Sequence, residues 1–156
     1  MSMKHAFIAT LIFALLLPAH VSAQGNVELA GTWKAEDTGG GGRSGVPGIP
    51  IATTMVIKVS REAVTVDSDT GSARTIQTAV YKLDGTENSV PGPLGWETKA
   101  KAGWEGDKLV VTTRRSIPGP NGDMSVEVKD VYGVAGNVLT IERSMGRNRQ
   151  TLVYRK

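Results

Sequence analysis

The sequence predicts an all-β protein, an antiparallel up-and-down β-barrel of about eight to ten short strands that follows a cleaved N-terminal signal peptide. Along residues 96–104, small or aromatic side chains occupy every second position and charged ones stand between them at 97, 99 and 101, a period of two that is typical of a half-buried strand. Shorter segments of the same pattern, separated by glycine or proline turns, fill most of the chain. Because closing such a sheet removes its exposed edges, a barrel is favoured over a sandwich.

The N-terminal residues have the pattern of a secretory signal peptide. Lys4 gives a positive start, residues 6–17 are almost wholly apolar, and residues 21–23 form a small-residue cleavage site. We therefore expect cleavage after Ala23, a single domain over residues 24–156, and a location in the periplasm or outside the cell. No later segment is apolar enough for a stable membrane span. An uncleaved N-terminal anchor is the alternative.

The strands are predicted in chain order from alternation and from the turns between them. They cover residues 29–35, 51–60, 64–67, 75–83, 86–90, 96–104, 108–113, 124–132, 138–145 and 150–155. The Gly/Pro-rich segment 38–50 is predicted to be a long loop, either a plain linker or a lid over an opening. Turns are expected at 68–71 and 133–137. The alternation of the eighth strand slips at Lys129 and Asp130, which predicts a β-bulge.

Two short motifs resemble those of the lipocalins. Gly31-Thr32-Trp33, at the start of the first strand, resembles the lipocalin G-x-W motif, and avidins share a similar start. Asp130-Val131-Tyr132 loosely resembles the second lipocalin motif, although Lys129 replaces its threonine. The lipocalin resemblance implies a barrel with an interior cavity and a late arginine, Arg143 or else Arg155, stacked over the first-strand tryptophan. No biotin binding is predicted.

Three longer phrases, at residues 81–85, 104–111 and 138–143, resemble small exported bacterial lipocalin-like (calycin-type) β-barrel proteins of uncharacterised function. This resemblance extends over nearly all of residues 24–156. It implies the architecture and no particular ligand.

The chemistry open to this chain is limited by its composition. Both histidines, His5 and His20, lie in the predicted signal peptide, and the cysteine count is 0. Residues 24–156 therefore offer no imidazole or thiol, which removes Ser-His-Asp and cysteine nucleophiles and nearly all zinc or copper sites. We predict no catalytic residue, no metal site and no cofactor. Residues 67–71 begin like a calcium loop, but Thr78 stands where an acidic ligand is required.

Charge gives little direction. The formal net charge is +3, and basic residues are interleaved with acidic ones. The basic residues between Arg143 and Lys156 are expected to form a solvated surface, with an anion-binding patch as the alternative. Because the bases are dispersed and the aromatic residues are predicted to point inward, nucleic-acid binding is not predicted.

The predicted function follows from the small residues between Trp96 and Trp104, which could leave a cavity for a ring or an acyl chain. The leading hypothesis is an exported, non-catalytic barrel that binds a small apolar or amphipathic molecule. Its predicted ligand-binding residues are Met55, Ile57, Trp96, Trp104 and Tyr132.

Two hypotheses from other functional classes stay open. One is a cofactor-free isomerase or cyclase that uses Tyr132 or a carboxylate at the mouth of the barrel. The other is a protein-interaction module that uses loop 39–50 or the basic C-terminal end. The sequence leaves the oligomeric state open.

Overall fold

The computed structural model describes residues 27–36, 51–71, 76–92, 97–117, 122 and 124–156. They form a short 3-10 helix, Val27–Leu29, and ten β-strands. The strands are β1 (Gly31–Ala35), β2 (Thr54–Val59), β3 (Ala63–Asp69), β4 (Gln77–Lys82), β5 (Asn88–Pro91), β6 (Glu97–Glu105), β7 (Lys108–Ile117), β8 (Met124–Ala135), β9 (Val138–Met145) and β10 (Asn148–Arg155). Within this described part of the chain, no helix is long and apolar enough to cross a membrane.

All ten strands belong to one antiparallel sheet in which chain neighbours pair, apart from β4 and β5. The first and last strands also pair, Lys34 opposite Arg155, so the sheet curls round on itself. The prediction of an antiparallel up-and-down barrel is confirmed. The predicted signal peptide, residues 1–23, and the predicted loop 38–50 lie outside the described residues.

The barrel is nearly closed, and the remaining seam lies between β4 and β5, the two ends of the strand order. One side chain bridges it. The Asn88 amide nitrogen donates to the Val80 carbonyl at 2.7 Å, and the Lys82 backbone N–H donates to the Asn88 side-chain oxygen at 3.3 Å. Asn88 thus supplies the donor and the acceptor that a partner strand would otherwise provide at this edge.

The odd-numbered strands run from one end of the barrel, here called the base, to the other, here called the rim. The hairpins at the base are tight. Gly106 and Asp107 alone connect β6 to β7, with Gly106 at φ 64°, the left-handed conformation that a two-residue hairpin requires. The same pattern of a two-residue turn recurs at residues 136–137.

The base is filled by a compact apolar core around Trp33, whose side chain has 0% exposure. Its indole N–H donates to the Leu29 carbonyl at 2.9 Å, which ties the 3-10 helix across the barrel end. Large side chains surround it, namely Leu29, Ile57, Val64, Leu109 and Leu139, all nearly inaccessible to solvent. Such a core is the main source of folding free energy in a domain of this size.

The cation over Trp33 is Lys156, so the prediction that Arg143 or Arg155 stacks there is wrong. The Lys156 ammonium lies 4.7 Å from the ring centroid and donates to the Glu28 carbonyl at 2.9 Å. This contact also explains Gly31 of the G-x-W motif. Its φ is 144°, and a Cβ there would lie 2.8 Å from the Lys156 Cε.

Several strands are longer than the sequence pattern indicated, and the predicted bulge at Lys129–Asp130 is absent. β8 pairs continuously with β7 and β9, Asp130 opposite Val111 on one side and Arg143 on the other. The alternation does not slip; a charged residue simply points inward. β3 and β8 likewise continue to Asp69 and Ala135, through residues assigned to turns by composition.

Candidate ligand-binding site

The rim half of the barrel interior is polar, and its centre is an ion pair. Asp130 on β8 and Arg143 on β9 are directly opposite in the ladder, and both side chains point into the barrel. The Arg143 Nε and Nη2 atoms donate to the two Asp130 carboxylate oxygens at 2.8 and 2.9 Å. Their side chains are only 12% and 13% exposed. This fork geometry is the strongest form of a carboxylate–guanidinium contact.

The pair changes the titration of the groups around it. Burial alone would lower the pKa of the Arg143 guanidinium, but the hydrogen bonds and charge of Asp130 outweigh it and raise that pKa above its usual value. Burial, with the Asp130 charge as a second cause, raises the pKa of Tyr81 to about 12. Burial likewise raises the pKa of Tyr132 well above its usual value and that of Tyr154 to about 12. All three phenols therefore keep their protons to a higher pH than an exposed tyrosine does.

Two cavities adjoin the ion pair. The first, about 120 Å³, has apolar walls from Val90, Val126 and Val128 and polar walls from Thr98, Thr113 and Arg115. The second, about 140 Å³, extends toward β2, β3 and β10, and its apolar walls include Met55, Val66, Ile141 and Leu152. Tyr81, Pro91, Asp130 and Arg143 border both. Each is smaller than the roughly 300–1,000 Å³ of a typical drug-sized site.

Buried polar atoms without a protein partner concentrate at the first cavity. Among the described residues there are four such side-chain atoms: Thr98 Oγ1, Arg115 Nε, Arg143 Nη1 and Gln150 Oε1. The first three belong to residues that line this one cavity. A buried polar atom left unpaired costs about 1–3 kcal/mol, and folded proteins rarely retain several together. Their concentration in residues of one cavity wall makes this cavity the candidate ligand site.

The predicted ligand-binding residues are distributed as follows. Met55 and Tyr132 line the second cavity. Ile57, 2% exposed, packs in the apolar core, and Trp104 packs against that core toward the base; neither lines either cavity. Trp96 lies outside the described residues. A ligand contact by any of the five stays a prediction.

Sequence reasoning missed the polar residues of the site, although the alternation contained a signal. Leu139, Ile141 and Arg143 form one inward series along β9, and Arg115 continues the inward series of Val111 and Thr113 along β7. The inward face of β6 was assigned correctly, with Thr98, Ala100 and Ala102 all buried. Because Arg143 is inside the barrel, it does not belong to a C-terminal surface patch.

In the described part of the chain, the interior of the barrel holds few acidic groups. Asp130 is the one carboxylate that faces the interior among the described residues, and both of its oxygens already accept from Arg143. The described residues also hold no cluster of acidic side chains that could bind a metal ion.

No protein-family model matches this chain, and no curated protein sequence matches it either. Solved structures of similar architecture exist. A secretory abundant heat soluble (SAHS) protein from Ramazzottius varieornatus superimposes with a TM-score of 0.60 at 16% identity, covering 82% of this chain and 94% of that one. A structure described as the REP1-NXSQ fatty acid transporter gives 0.60 at 15% identity, covering 83% and 96%.

A second protein of the same kind, secretory abundant heat soluble protein 4 from Ramazzottius varieornatus, gives a TM-score of 0.56 at 14% identity, covering 81% and 93%. At these identities the likeness concerns the fold alone. The chain shares with these structures a nearly closed antiparallel barrel that fits the lipocalin-like, calycin-type architecture.

Proposed function

We propose that this protein is an exported, non-catalytic barrel that binds one small amphipathic molecule in the rim half of its interior. The observation that carries the proposal is that Thr98 Oγ1, Arg115 Nε and Arg143 Nη1, each buried and without a protein partner, belong to residues that line one cavity. A stably folded barrel could have filled this space with apolar side chains, as its base does.

The two cavities suit two parts of such a molecule. In this proposal the polar group lies in the first cavity, beside the residues that carry the unpartnered atoms, and the apolar part extends into the second, along Met55, Val66 and Leu152. Tyr81 and Pro91, like the two residues of the ion pair, border both spaces, and in this proposal the two parts of the molecule meet beside them. The description of one structural neighbour as a fatty acid transporter supports an amphipathic ligand of this kind.

The small cavity volumes make eight-carbon compounds the appropriate probes. Octanol and octanoate are titrated into residues 24–156 by isothermal calorimetry, and saturable binding of either compound with one site per barrel is expected. Wild-type protein that binds neither compound would contradict the proposal.

A blocking variant tests the location. Ala79 lines the second cavity, whereas Val80, the next residue of β4, points outward and is 44% exposed. Ala79→Phe should therefore lower affinity by at least about tenfold, since it occupies the space of the apolar part. The matched control Val80→Phe should bind like wild type. Equal affinity in both variants would place the ligand elsewhere.

Export has its own test, because it rests only on the sequence of the first 23 residues. The protein recovered from its native cell should begin at Gln24, as measured by intact mass. A full-length species that starts at Met1 and stays with the cytoplasm would refute export while leaving the binding proposal standing.

A further inference from the structure

Among the described residues, positive and negative charges around the first cavity do not balance. Arg143 is neutralised locally by Asp130 through two hydrogen bonds of 2.8 and 2.9 Å, so that pair contributes donors but no net charge. Only its third nitrogen, Nη1, lacks a partner. Arg115 lines the same cavity and has no such counterion among the residues that the structure describes.

The surroundings of Arg115 make this difference clear. Its inward neighbours in the ladder are Val126 on β8 and, one step toward the base, Thr113 on its own strand, which are uncharged. In the described part of the chain Arg115 makes no ion pair, and its Nε is buried without an acceptor. Arg114, its neighbour on the outer face, is by contrast paired with Glu87 and Glu127 at 3.5 and 3.2 Å.

We infer that the cavity carries one uncompensated positive charge, from Arg115, and selects ligands whose head group bears a single negative charge, with Asp130 setting that limit. This inference rests on the proposed function and specifies its ligand as a monocarboxylate amphiphile. A neutral head group would leave the Arg115 charge without a counterion. A doubly charged head group would place excess negative charge beside the Asp130 carboxylate.

Asp130 is thus a specificity-determining residue that need not touch the ligand. Without its carboxylate, Arg143 would present a full positive charge to both cavities, and the preferred head group would shift from one negative charge to two. The ion pair therefore supplies hydrogen-bond donors to the cavity without adding net positive charge to it.

The experiment compares three probes with one chain length: octanol, octanoate and octyl phosphate, titrated calorimetrically at pH 7. Wild-type protein should bind octanoate about tenfold or more tightly than either of the others, since a charge-assisted hydrogen bond is worth that much in affinity. Arg115→Gln should reduce the preference for octanoate over octanol to about threefold or less. Arg114→Gln, the matched outer-face control, should keep it.

Variants of Asp130 test whether this residue limits the preferred head group to one negative charge. Asp130→Asn should improve octyl phosphate relative to octanoate by about tenfold, whereas Asp67→Asn, on the outer surface and bonded to Lys58 and Thr78, should change nothing. Should Asp130→Asn fail to fold, Asp130→Asn/Arg143→Gln restores the original net charge and should retain the wild-type order of the three probes. A changed order in that double variant would overturn the charge count.

The outcomes separate the two proposals. Equal affinity of wild type for octanol and octanoate, or an Arg115→Gln variant that keeps the preference, would overturn the inference and leave amphiphile binding intact. Failure of all three probes to bind would overturn the proposed function itself.

Discussion

The base and the rim half of this barrel are built from the same alternating strands but are filled in opposite ways. Around Trp33 the interior is closely packed with mostly apolar side chains, and the indole N–H is satisfied by the Leu29 carbonyl. Around Asp130 and Arg143 it contains charges, cavities and buried polar atoms without partners. The ladder passes from one region to the other within one inward step, from Tyr132 to Asp130 along β8.

The difference indicates that the base and the rim half of the barrel have different roles. Apolar burial is the dominant favourable term in folding, whereas a buried ion pair contributes little net stability and unpartnered polar atoms reduce it. The base therefore holds the strands in register, and the rim half tolerates groups that a binding site needs. Substitutions in the two halves should accordingly have effects of different size and even of different sign.

The largest effect is expected at the base. Trp33→Ala should lower the free energy of unfolding by about 3–5 kcal/mol, because it leaves a large cavity at the centre of the core. The measurement is urea unfolding of residues 24–156, compared with Val80→Ala on the outer face, which should cost less than about 0.5 kcal/mol. A loss below about 1 kcal/mol at Trp33 would show that the base does not hold the fold.

The fold was predictable because its evidence is local. A period of two along residues 96–104 or 138–145 needs no knowledge of a partner, and the glycines at 106 and 136 mark the hairpins directly. The strand count and the up-and-down order follow from repeating that pattern. The predicted lengths fell short where polar side chains such as Ser68 point inward, since composition alone assigned them to turns.

The candidate site was less predictable because it depends on contacts between residues that are distant in the sequence. The inward orientation of Asp130 is explained by its ladder partner Arg143, which lies thirteen positions later in the sequence. From the sequence pattern alone, the charged residue at this inward position predicted a bulge. Lys156 over Trp33 is likewise invisible in the sequence, because the contact joins the two ends of the described chain.

The boundary between the base and the rim half should be detectable from the titration of the buried tyrosines at alkaline pH. All three tyrosines of the protein, Tyr81, Tyr132 and Tyr154, have raised pKa values, caused first by burial. Unfolded tyrosines lose their protons near pH 10, whereas Tyr81 and Tyr154 keep theirs in the folded barrel to about pH 12. Between these values the unfolded state binds fewer protons, so the free energy of unfolding should fall as pH rises from 10.

Ultraviolet absorbance of the phenolate measures this directly. The folded protein should show almost no phenolate at pH 10, and its appearance should coincide with unfolding at higher pH. The same protein in concentrated urea is the control and should titrate near pH 10. A normal tyrosine titration in the folded state would mean that water reaches this layer of the barrel freely.

The smallest effect has the opposite sign and lies in the rim half. Thr98 is 5% exposed, and its hydroxyl has no partner, so Thr98→Val removes an unsatisfied group without changing the side-chain shape. The variant should be more stable than wild type by about 1 kcal/mol in urea unfolding. If the hydroxyl faces the head group of a ligand, the same variant should bind octanoate about threefold to tenfold more weakly. Thr112→Val, on the outer face of β7, is the control and should change neither quantity. A destabilised Thr98→Val protein would show that the hydroxyl has a hydrogen-bond partner within the fold. The hydroxyl would then not be available to a ligand, and only two of the three unpartnered atoms would still support the binding proposal.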